Sequence, residues 1–371
     1  MNTEQGKKAN LRGQTTCELV VYHSSQALYC VLMEGDQAVE VMQQELPVSN
    51  PASAAACLNR HDLMLGKVRQ VLPALNCAFI DIGDDHDALL PLSEAPPEVR
   101  GGQTLMVQIR KRTPTHKGHQ VTTRLALPGP YAVLRPHAAP LHRSKLRALP
   151  ENLREDLFQR DLERLRKLWL TLAQEATAGP VPRCLYAFGD PCHMALITWT
   201  GPELRRIRVE DQVIYDKLYR LLQNIMPEYL PLLHYQRPQG DFSLAAIYGL
   251  TNLTSQLHQH MIYLDQGGSI VLETTEAMTV IDVNSGRDIR GSNVRALRLR
   301  TNLKAAEAVA RQLRLRNLGG MVVVDFLRMQ EDDDRQEVEN LLCDLLRLDR
   351  ARSVVYGFTA MGLFELVRTA I

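Results

Sequence analysis

Hydrophobic and polar residues alternate in short runs over the first third of the chain, and helix-length repeats follow. From Cys17 to about Leu46 the run CELVVYHSSQALYCVLMEGDQAVEVMQQ predicts strands joined by turns at 23–26 and 35–36. Residues 63–127 hold further short alternating strands separated by Gly and Asp turns. Such spacing is typical of a small barrel.

Longer periodic segments follow the predicted barrel. Residues 150–176 predict an amphipathic helix that starts at Pro150, with an apolar stripe formed by Leu153, Leu157, Leu165, Trp169 and Leu172. A mixed strand region that includes CLYAFGDPCHMALITW is expected next, and then helices around 211–226 and 243–260.

From residue 261 on, strands and helices alternate. The predicted order is strand (GGSIVLETTEAMTVIDV), helix (301–316), strand (GGMVVVDFL), helix (332–348) and strand (ARSVVYGFTA). This order predicts an α/β sheet covered by helices. In such sheets ligands gather at the carboxyl ends of the strands.

Two apolar strands in this region end on a carboxylate, at Asp282 and at Asp325. Two like charges at one sheet edge repel each other unless a cation lies between them. Mg²⁺ suits such a pair, since it binds through one or two carboxylates and keeps several waters. Asn284 falls on the same side of the strand as Asp282 and is expected to orient a ligand or a water. Two unrelated turn-capping aspartates remain the alternative.

The segment between the two carboxylates, residues 295–316, has seven Lys or Arg against one Glu. Leu303, Ala306, Ala310 and Leu313 form its predicted core stripe, and the cations Lys304, Arg311 and Arg314 lie off it. A basic helix face beside a metal site favours a polyanion, although a solvated surface explains it too. Metal and polyanion together favour phosphodiester hydrolysis. Motifs of P-loop ATPases, zinc peptidases, serine hydrolases and dinucleotide enzymes are absent from the sequence.

The predicted barrel carries cations beside an aromatic residue, as single-strand nucleic-acid grooves do. These residues are Lys67, Arg69, Arg110, Lys111 and Arg112, with Phe79 as the aromatic. A barrel with a merely solvated charged face remains the alternative.

Composition narrows the class of protein. The 371 residues are 45% hydrophobic, and the net charge of +1 favours neither nucleic acid nor membrane. Seven scattered cysteines without a CxxC pair predict reduced thiols in a cytoplasmic protein. The polar start is not a secretory signal, and no run is long enough to span a bilayer. We therefore expect a soluble protein with no membrane partner.

Several segments together resemble the bacterial ribonuclease E/G family. They are ETTEAMTVIDVNSGR, TNLKAAEAVARQLRLRNLGGMVVVDF and LDRARSVV in the C-terminal part, and GKVRQVLPALNCAFIDIG in the barrel. The resemblance implies an endoribonuclease that acts on single-stranded RNA in the processing or decay of messenger and ribosomal RNA. The products it implies have 5′-phosphate and 3′-hydroxyl ends.

The resemblance also implies an architecture. Residues 1–16 would be a flexible tail, and 17–62 with 200–260 an RNase H-like part. The insertions in that part would be an OB-fold barrel of the S1 type (63–127) and a reduced 5′-sensor region with a long helix (128–199). Residues 261–371 would form a DNase I-like catalytic domain.

The family's functional positions fall on residues of this sequence. By resemblance Asp282 and Asp325 are the metal ligands and Asn284 the assisting residue. RNA-contacting positions fall on Phe79, Lys111, Lys117 and Arg352, and the 5′-sensor pocket on Gly129 and Val133.

Four departures from the family pattern change the expectations. Leu89 stands where a second stacking aromatic is usual, and Arg328 where an acidic residue is usual. The Arg-Thr loop that grips a 5′-monophosphate has no counterpart, so 5′-end discrimination should be small. The chain stops at Ile371 before the zinc-binding link, so a zinc-linked dimer is not expected; a homo-oligomer through other contacts stays open.

The leading hypothesis is therefore a compact Mg²⁺-dependent endoribonuclease that is largely indifferent to 5′ phosphorylation. One rival is a non-catalytic RNA-binding relative that protects or presents transcripts, and another is an assembly subunit that needs a partner to complete its RNA path.

Overall fold

The computed structural model describes residues 16–24, 27–45, 58–111, 118–143, 146, 149–237, 243–265, 267–275, 277–286 and 294–370. These residues form two compact units. The first holds the described residues up to Cys30 and those of Met42–Leu244, and the second holds Val31–Val41 and those from Ala245 onward. Almost all of the predicted tail, and Lys117 of the predicted RNA-contacting set, lie outside the described residues.

The described residues contain twenty strands. In chain order these are β1 (Cys17–His23), β2 (Ala27–Glu34), β3 (Gln37–Glu45), β4 (Leu63–Leu72), β5 (Cys77–Asp81), β6 (Ala88–Pro91), β7 (Thr104–Lys111), β8 (Gln120–Thr122), β9 (Leu127–Pro128), β10 (Ala132–Leu134), β11 (Leu141–His142), β12 (Arg183–Tyr186), β13 (Leu204–Val209), β14 (Leu233–Tyr235), β15 (Met261–Tyr263), β16 (Ser269–Thr274), β17 (Met278–Asn284), β18 (Gly320–Asp325), β19 (Ser353–Phe358) and β20 (Phe364–Arg368).

Seven α-helices are present in the same residues. They are α1 (Glu151–Glu175), α2 (Pro191–Trp199), α3 (Gln212–Ile225), α4 (Leu244–Ile247), α5 (Leu253–His258), α6 (Val294–Leu315) and α7 (Asp332–Leu348). None of the helices in the described residues is both long enough and apolar enough to cross a membrane.

The first sheet has the order β14-β13-β1-β2-β3. β13 is parallel to both β1 and β14, and the predicted strands between 17 and 46 are confirmed as β1, β2 and β3. The interior of β1 is fully apolar and buried because its residues Leu19, Val20 and Val21 are covered on both sides. α3 follows β13 and begins at Asp211, whose side chain accepts the backbone N–H of Ile214.

The predicted barrel is confirmed as a closed five-stranded one. Its order is β4-β5-β6-β8-β7, and an antiparallel pairing of β7 with β4 closes it. Inward positions such as Val68, Ala78 and Ile80 are buried, as alternation along the strands requires. A Cβ on Gly66 would lie 2.7 Å from Ile80 Cγ2, so this strand position admits no side chain.

The predicted helix at 150–176 is confirmed as α1, and its predicted stripe is confirmed in part, since Leu165 and Leu172 are buried. Leu153 is 44% exposed instead, and Phe158 and Leu162 are buried together with the charged Asp161. The second half of the expected mixed strand region is wrong, because CHMALITW forms most of α2. Asp190 starts that helix by accepting the backbone N–H groups of Cys192 and His193.

Two other predicted helices have different limits in the structure. The segment 243–260 holds two short helices, α4 and α5, with a turn between them instead of one helix. The helix expected at 301–316 begins earlier, at Val294, and is α6.

The second unit is built on a six-stranded sheet with the order β15-β16-β17-β18-β20-β19. α6 and α7 pack together on one face of this sheet, where Ile281, Val309, Val324 and Leu342 belong to one apolar core. The opposite face is open to solvent at residues such as Met321, which is 48% exposed. The predicted α/β arrangement of this region is confirmed.

Candidate active site on the open face of the six-stranded sheet

Asp282 and Asp325 are register partners on two adjacent parallel strands, β17 and β18. Adjacent strands are about 4.8 Å apart, so the two residues are immediate neighbours. The residues before them, Ile281 and Val324, are fully buried against the helices. Alternation therefore turns both aspartates to the open face, where both are exposed. The structure brings together the pair that the sequence predicted.

Asn284 lies two residues beyond Asp282 on the same side of β17. Its Nδ2 donates a hydrogen bond to Asp282 Oδ2 at 2.8 Å. This bond fixes the orientation of the Asp282 carboxylate, and the amide oxygen of Asn284 is left as a further hard ligand.

The pair does not have the contacts of turn-capping aspartates. A capping carboxylate accepts nearby backbone N–H groups, and neither carboxylate does so within the described part of the chain. No Lys, Arg or His of the described residues forms an ion pair with either one. Two adjacent carboxylates without a protein cation form a site of net negative charge, which attracts a divalent ion.

The donor set fits Mg²⁺ better than zinc. The described residues contain no group of three or more His, Cys, Asp or Glu that could hold a metal, as a closed zinc site would require. Two carboxylates, one amide oxygen and open positions for water match the hard, partly hydrated coordination of Mg²⁺.

The segment after Asp325 is held by Asn302, a residue that the sequence analysis missed. Asn302 is fully buried on α6. Its Nδ2 donates to the carbonyl oxygen of Leu327 at 2.8 Å, and its Oδ1 accepts the backbone N–H of Leu327 at 2.9 Å. A lone Asn within the Ala-rich stripe of α6 was the available signal, because a fully buried amide needs specific partners.

The backbone at Asn284 is held closely by Gly268, which was also missed. Gly268 has a φ of +92°, and a Cβ there would lie 2.6 Å from the carbonyl oxygen of Asn284. Only glycine combines this conformation with this approach. The Gly-Gly pair before β16 was the available signal.

Arg328, at the position where the family pattern has an acidic residue, is exposed. No described acidic residue pairs with it. It adds a positive charge three residues after Asp325, where an acidic residue would have added a negative one.

The predicted basic face of α6 is present only in part as free charge, because three of its cations pair with acidic residues. Lys304 pairs with Glu307 at 2.7 Å, and Arg295 pairs with Asp334 at 3.0 Å. Arg314 is 16% exposed and pairs with Glu34 and Glu40 at 3.0 Å each. Burial alone would lower the pKa of Arg314, but these two carboxylates raise it above its usual value. Arg311 is the exposed one of the three cations predicted off the stripe.

The barrel places three predicted or departing positions, Phe79, Leu89 and Lys111, in one row across its strands, with Gln120 between the last two. Phe79 is the partner of Leu89, Leu89 of Gln120, and Gln120 of Lys111. Phe79, Leu89 and Gln120 face outward, because the residues beside them, such as Ala78 and Val121, are buried, and Lys111 is exposed. The missing aromatic therefore leaves Leu89 directly beside Phe79.

The predicted barrel cations differ in whether an acidic residue already pairs with them. Lys67 is exposed on β4, and Lys111 is exposed at the end of β7. Arg69 forms an ion pair with Asp81 at 2.5 Å, so an anion would compete with that carboxylate.

Arg352 lies at the opposite end of its sheet from the aspartate pair. It precedes Ser353, which pairs with Arg368, and Arg368 pairs with Gly320 at the start of β18. Asp325 is five residues further along β18, or about 16 Å at 3.3 Å per residue. The structure does not bring Arg352 to the predicted metal site.

At the predicted sensor positions, the turn before β10 is held by a buried carboxylate. Asp161 of α1 accepts the backbone N–H groups of Tyr131 at 2.9 Å and Ala132 at 2.8 Å, and pairs with Arg164. A Cβ on Gly129 would lie 2.3 Å from Asp161 Oδ2, so this glycine is required by packing. Val133 lies on β10. Asp161 was not among the predicted residues, although a charged residue on the apolar side of α1 was the available signal.

Comparisons with known proteins show which family the chain is similar to. The model of the ribonuclease E/G family matches residues 144–371. The chain is 30% identical over 352 residues to ribonuclease G of Haemophilus influenzae, covering 82% of this chain and 71% of that protein. It is 30% identical over 350 residues to ribonuclease G of Escherichia coli strain K12, with the same coverage. It is 31% identical over 349 residues to ribonuclease E of Nostoc, covering 83% of this chain and 50% of that protein. The chain therefore belongs to the ribonuclease E/G family and falls in the endoribonuclease class.

Proposed function

We propose that this protein cuts single-stranded RNA with Mg²⁺ held by Asp282 and Asp325, and leaves 5′-phosphate and 3′-hydroxyl ends. The observation that carries the proposal is the register pairing of these two exposed aspartates on parallel strands. Asn284 orients the first of them through its 2.8 Å hydrogen bond. Mg²⁺ bound there would lower the pKa of a water and stabilise negative charge on the scissile phosphate.

The chain's own residues would then have distinct roles. The two carboxylates bind the ion, and the Asn284 amide keeps Asp282 in one orientation. No side-chain nucleophile is needed. Phe79 would stack on a base, and Lys111, in the same row of the barrel, would contact the backbone. With Leu89 in that row, we expect one stacking platform, and each such platform contributes about 1–3 kcal/mol.

We also propose that cleavage is largely independent of the 5′ end of the RNA. The segment between α1 and β12 spans only residues 176–182. No Arg-Thr pair occurs there to bind a terminal phosphate. In the same proposal the six-stranded sheet unit is DNase I-like and the sheet of β1, β2, β3, β13 and β14 is RNase H-like, in a cytoplasmic protein.

The test is cleavage of one labelled single-stranded RNA that carries either a 5′-monophosphate or a 5′-hydroxyl, with Mg²⁺ or with EDTA. Asp282→Asn and Asp325→Asn keep the shape of each side chain and remove its charge, so each should abolish cutting. Asp344→Asn is the matched control, because Asp344 is an exposed aspartate on α7. It should cut at the normal rate.

The outcomes separate the proposal from its rivals. Similar rates for the two 5′ ends support independence from the 5′ end, and a strong preference for the monophosphate contradicts it. Tight RNA binding without cutting by the unmodified protein would favour the RNA-binding relative that protects or presents transcripts. Activity that appears only when a cell extract is added would favour the assembly subunit.

A further inference from the structure

A cavity in the first unit is not part of the site described above. It has a volume of about 630 Å³, within the range of about 300–1,000 Å³ that small-molecule sites occupy. Its lining comes from the turn after β6, from β7, from the segments that follow β8 and β10, and from α1. Gly129 and Val133 do not line it, so it is not the predicted sensor pocket.

Two arginines of the lining are fixed by backbone carbonyl groups. Arg124 Nη2 donates to the carbonyl oxygen of Ser93 at 2.7 Å, and Arg135 Nε donates to that of Ala139 at 2.7 Å. Each bond uses one of the five N–H donors of a guanidinium. The remaining donors can bind the oxygens of a phosphate or a carboxylate.

The lining also contains two aromatic rings. His137 and Trp169 are in edge-to-face contact, with centroids 6.4 Å apart and planes at 86°. Trp169 is partly buried on α1 and lines the cavity together with apolar residues such as Met106. An indole face of this kind is a stacking surface for a nucleobase.

The lining further includes a carboxylate with an unused acceptor. Glu94 Oε1 forms an ion pair with Arg110. Glu94 Oε2 is buried and has no hydrogen-bond partner among the described residues. A buried acceptor without a donor costs about 1–3 kcal/mol, and a ligand N–H would remove that cost once the Glu94 carboxylate turns Oε2 towards the cavity.

We propose that this cavity binds a nucleotide whose base carries an amino group. The base would stack on Trp169 and donate its amino N–H to Glu94 Oε2. The phosphate would be bound by Arg124 and Arg135. Adenine, cytosine and guanine carry an amino group, whereas uracil has none and has carbonyl oxygens instead. The nucleotide is either a free one or one residue of an RNA strand. Binding of an RNA strand rests on the proposed function, and binding of a free nucleotide does not.

Tryptophan fluorescence gives a direct test, because the chain has two tryptophans and the other one, Trp199, is 2% exposed in α2. Trp199→Phe leaves Trp169 as the sole reporter. AMP and CMP should quench it in a saturable way, and about tenfold more tightly than UMP. Isothermal titration of the unmodified protein provides the same affinities without the substitution.

Glu94→Gln is the sharpest variant. It replaces Oε2 by an amide N–H₂ donor, so the preference should reverse towards UMP. Arg135→Met should weaken CMP about tenfold and leave cytidine unchanged. Arg100→Met is the matched control, since Arg100 is an exposed ion-paired arginine outside the cavity lining.

Two outcomes would overturn the inference. One is the absence of binding by AMP and CMP at millimolar concentration, and the other is equal binding of UMP and CMP that Glu94→Gln leaves unchanged. Competition by oligo(C) in EDTA identifies RNA as the source of the nucleotide, and binding of CMP without competition identifies the free nucleotide. Because neither arm requires cleavage, an inactive protein would refute the proposed function and leave this inference testable.

Discussion

The buried amide of Asn302 allows the link between the helical core and the candidate active site to be measured. Asn302→Ala removes both hydrogen bonds to Leu327, which is two residues after Asp325. The N–H and C=O groups of Leu327 would lose their partners in a half-buried position. Each unsatisfied buried group costs about 1–3 kcal/mol, so we expect a loss of about 2–4 kcal/mol in the free energy of unfolding.

The assay is urea unfolding at neutral pH, together with hydrogen exchange at the Leu327 amide, which should lose its protection. The Mg²⁺ concentration for half-maximal cutting should rise about tenfold, the lower end of what loss of an outer-shell partner causes. Asn340→Ala is the matched control, because Asn340 is exposed on α7. Its effect should stay within about 0.5 kcal/mol.

Asn302→Asp separates the two hydrogen bonds. Its carboxylate still accepts from the Leu327 N–H, but it cannot donate to the carbonyl and it buries a charge. We expect it to be at least as destabilised as the alanine variant. If Asn302→Ala unfolds like the control and keeps normal exchange at Leu327, the positioning role assigned to Asn302 is wrong.

Three further predictions follow from contacts in the structure. Gly268→Ala places a Cβ 2.6 Å from a carbonyl oxygen of β17 and should lower the melting temperature more than Gly267→Ala, whose Cβ would meet no atom within 4 Å although its φ is also positive. Burial lowers the pKa of His193 to about 4 from 6.5. The contribution of this group to the free energy of unfolding is therefore fully present above pH 6.5 and falls by about 3 kcal/mol towards pH 4. Urea unfolding at pH 7 and at pH 4.5 should show a smaller loss of stability between the two pH values for His193→Gln than for the unmodified protein. Arg368→Met leaves the Asp349 carboxylate buried without its 2.7 Å partner and should cost about 3–5 kcal/mol by the same measurement, while Arg368→Met with Asp349→Leu should recover part of it.

Local periodicity was enough to predict the strands that carry the aspartates. β17 and β18 have buried residues at alternate positions, and each reaches its carboxylate after an apolar run. Two parallel strands joined by a helix must present their carboxyl ends at one edge of a sheet. The sequence therefore predicted that both carboxylates reach one sheet edge, and the structure adds that Asp282 and Asp325 are register partners on adjacent strands.

Where the predictions were wrong, local periodicity did not contain the answer. α2 is apolar on nearly all sides, so its period cannot separate helix from strand. The Asp-Pro start at 190–191 was the signal that could have decided it. Arg314 was predicted to lie on the surface because it falls off the apolar stripe of α6. Its partners Glu34 and Glu40 lie 280 and 274 residues away in the sequence. No window of sequence shows that contact.

The distribution of constraints around the aspartate pair favours catalysis over RNA binding alone. Asn284 fixes one carboxylate, Gly268 fixes the backbone of Asn284, and Asn302 fixes the segment after the second carboxylate. An RNA-binding surface gains nothing from this, since two exposed carboxylates repel phosphate. In the proposed function, a divalent cation between the carboxylates would remove their mutual repulsion and give the arrangement its use. Leu89 in the row of Phe79, by contrast, alters RNA contact and leaves the pair unchanged. We therefore expect changes in the barrel to alter which RNA is cut, and changes around the pair to alter whether it is cut.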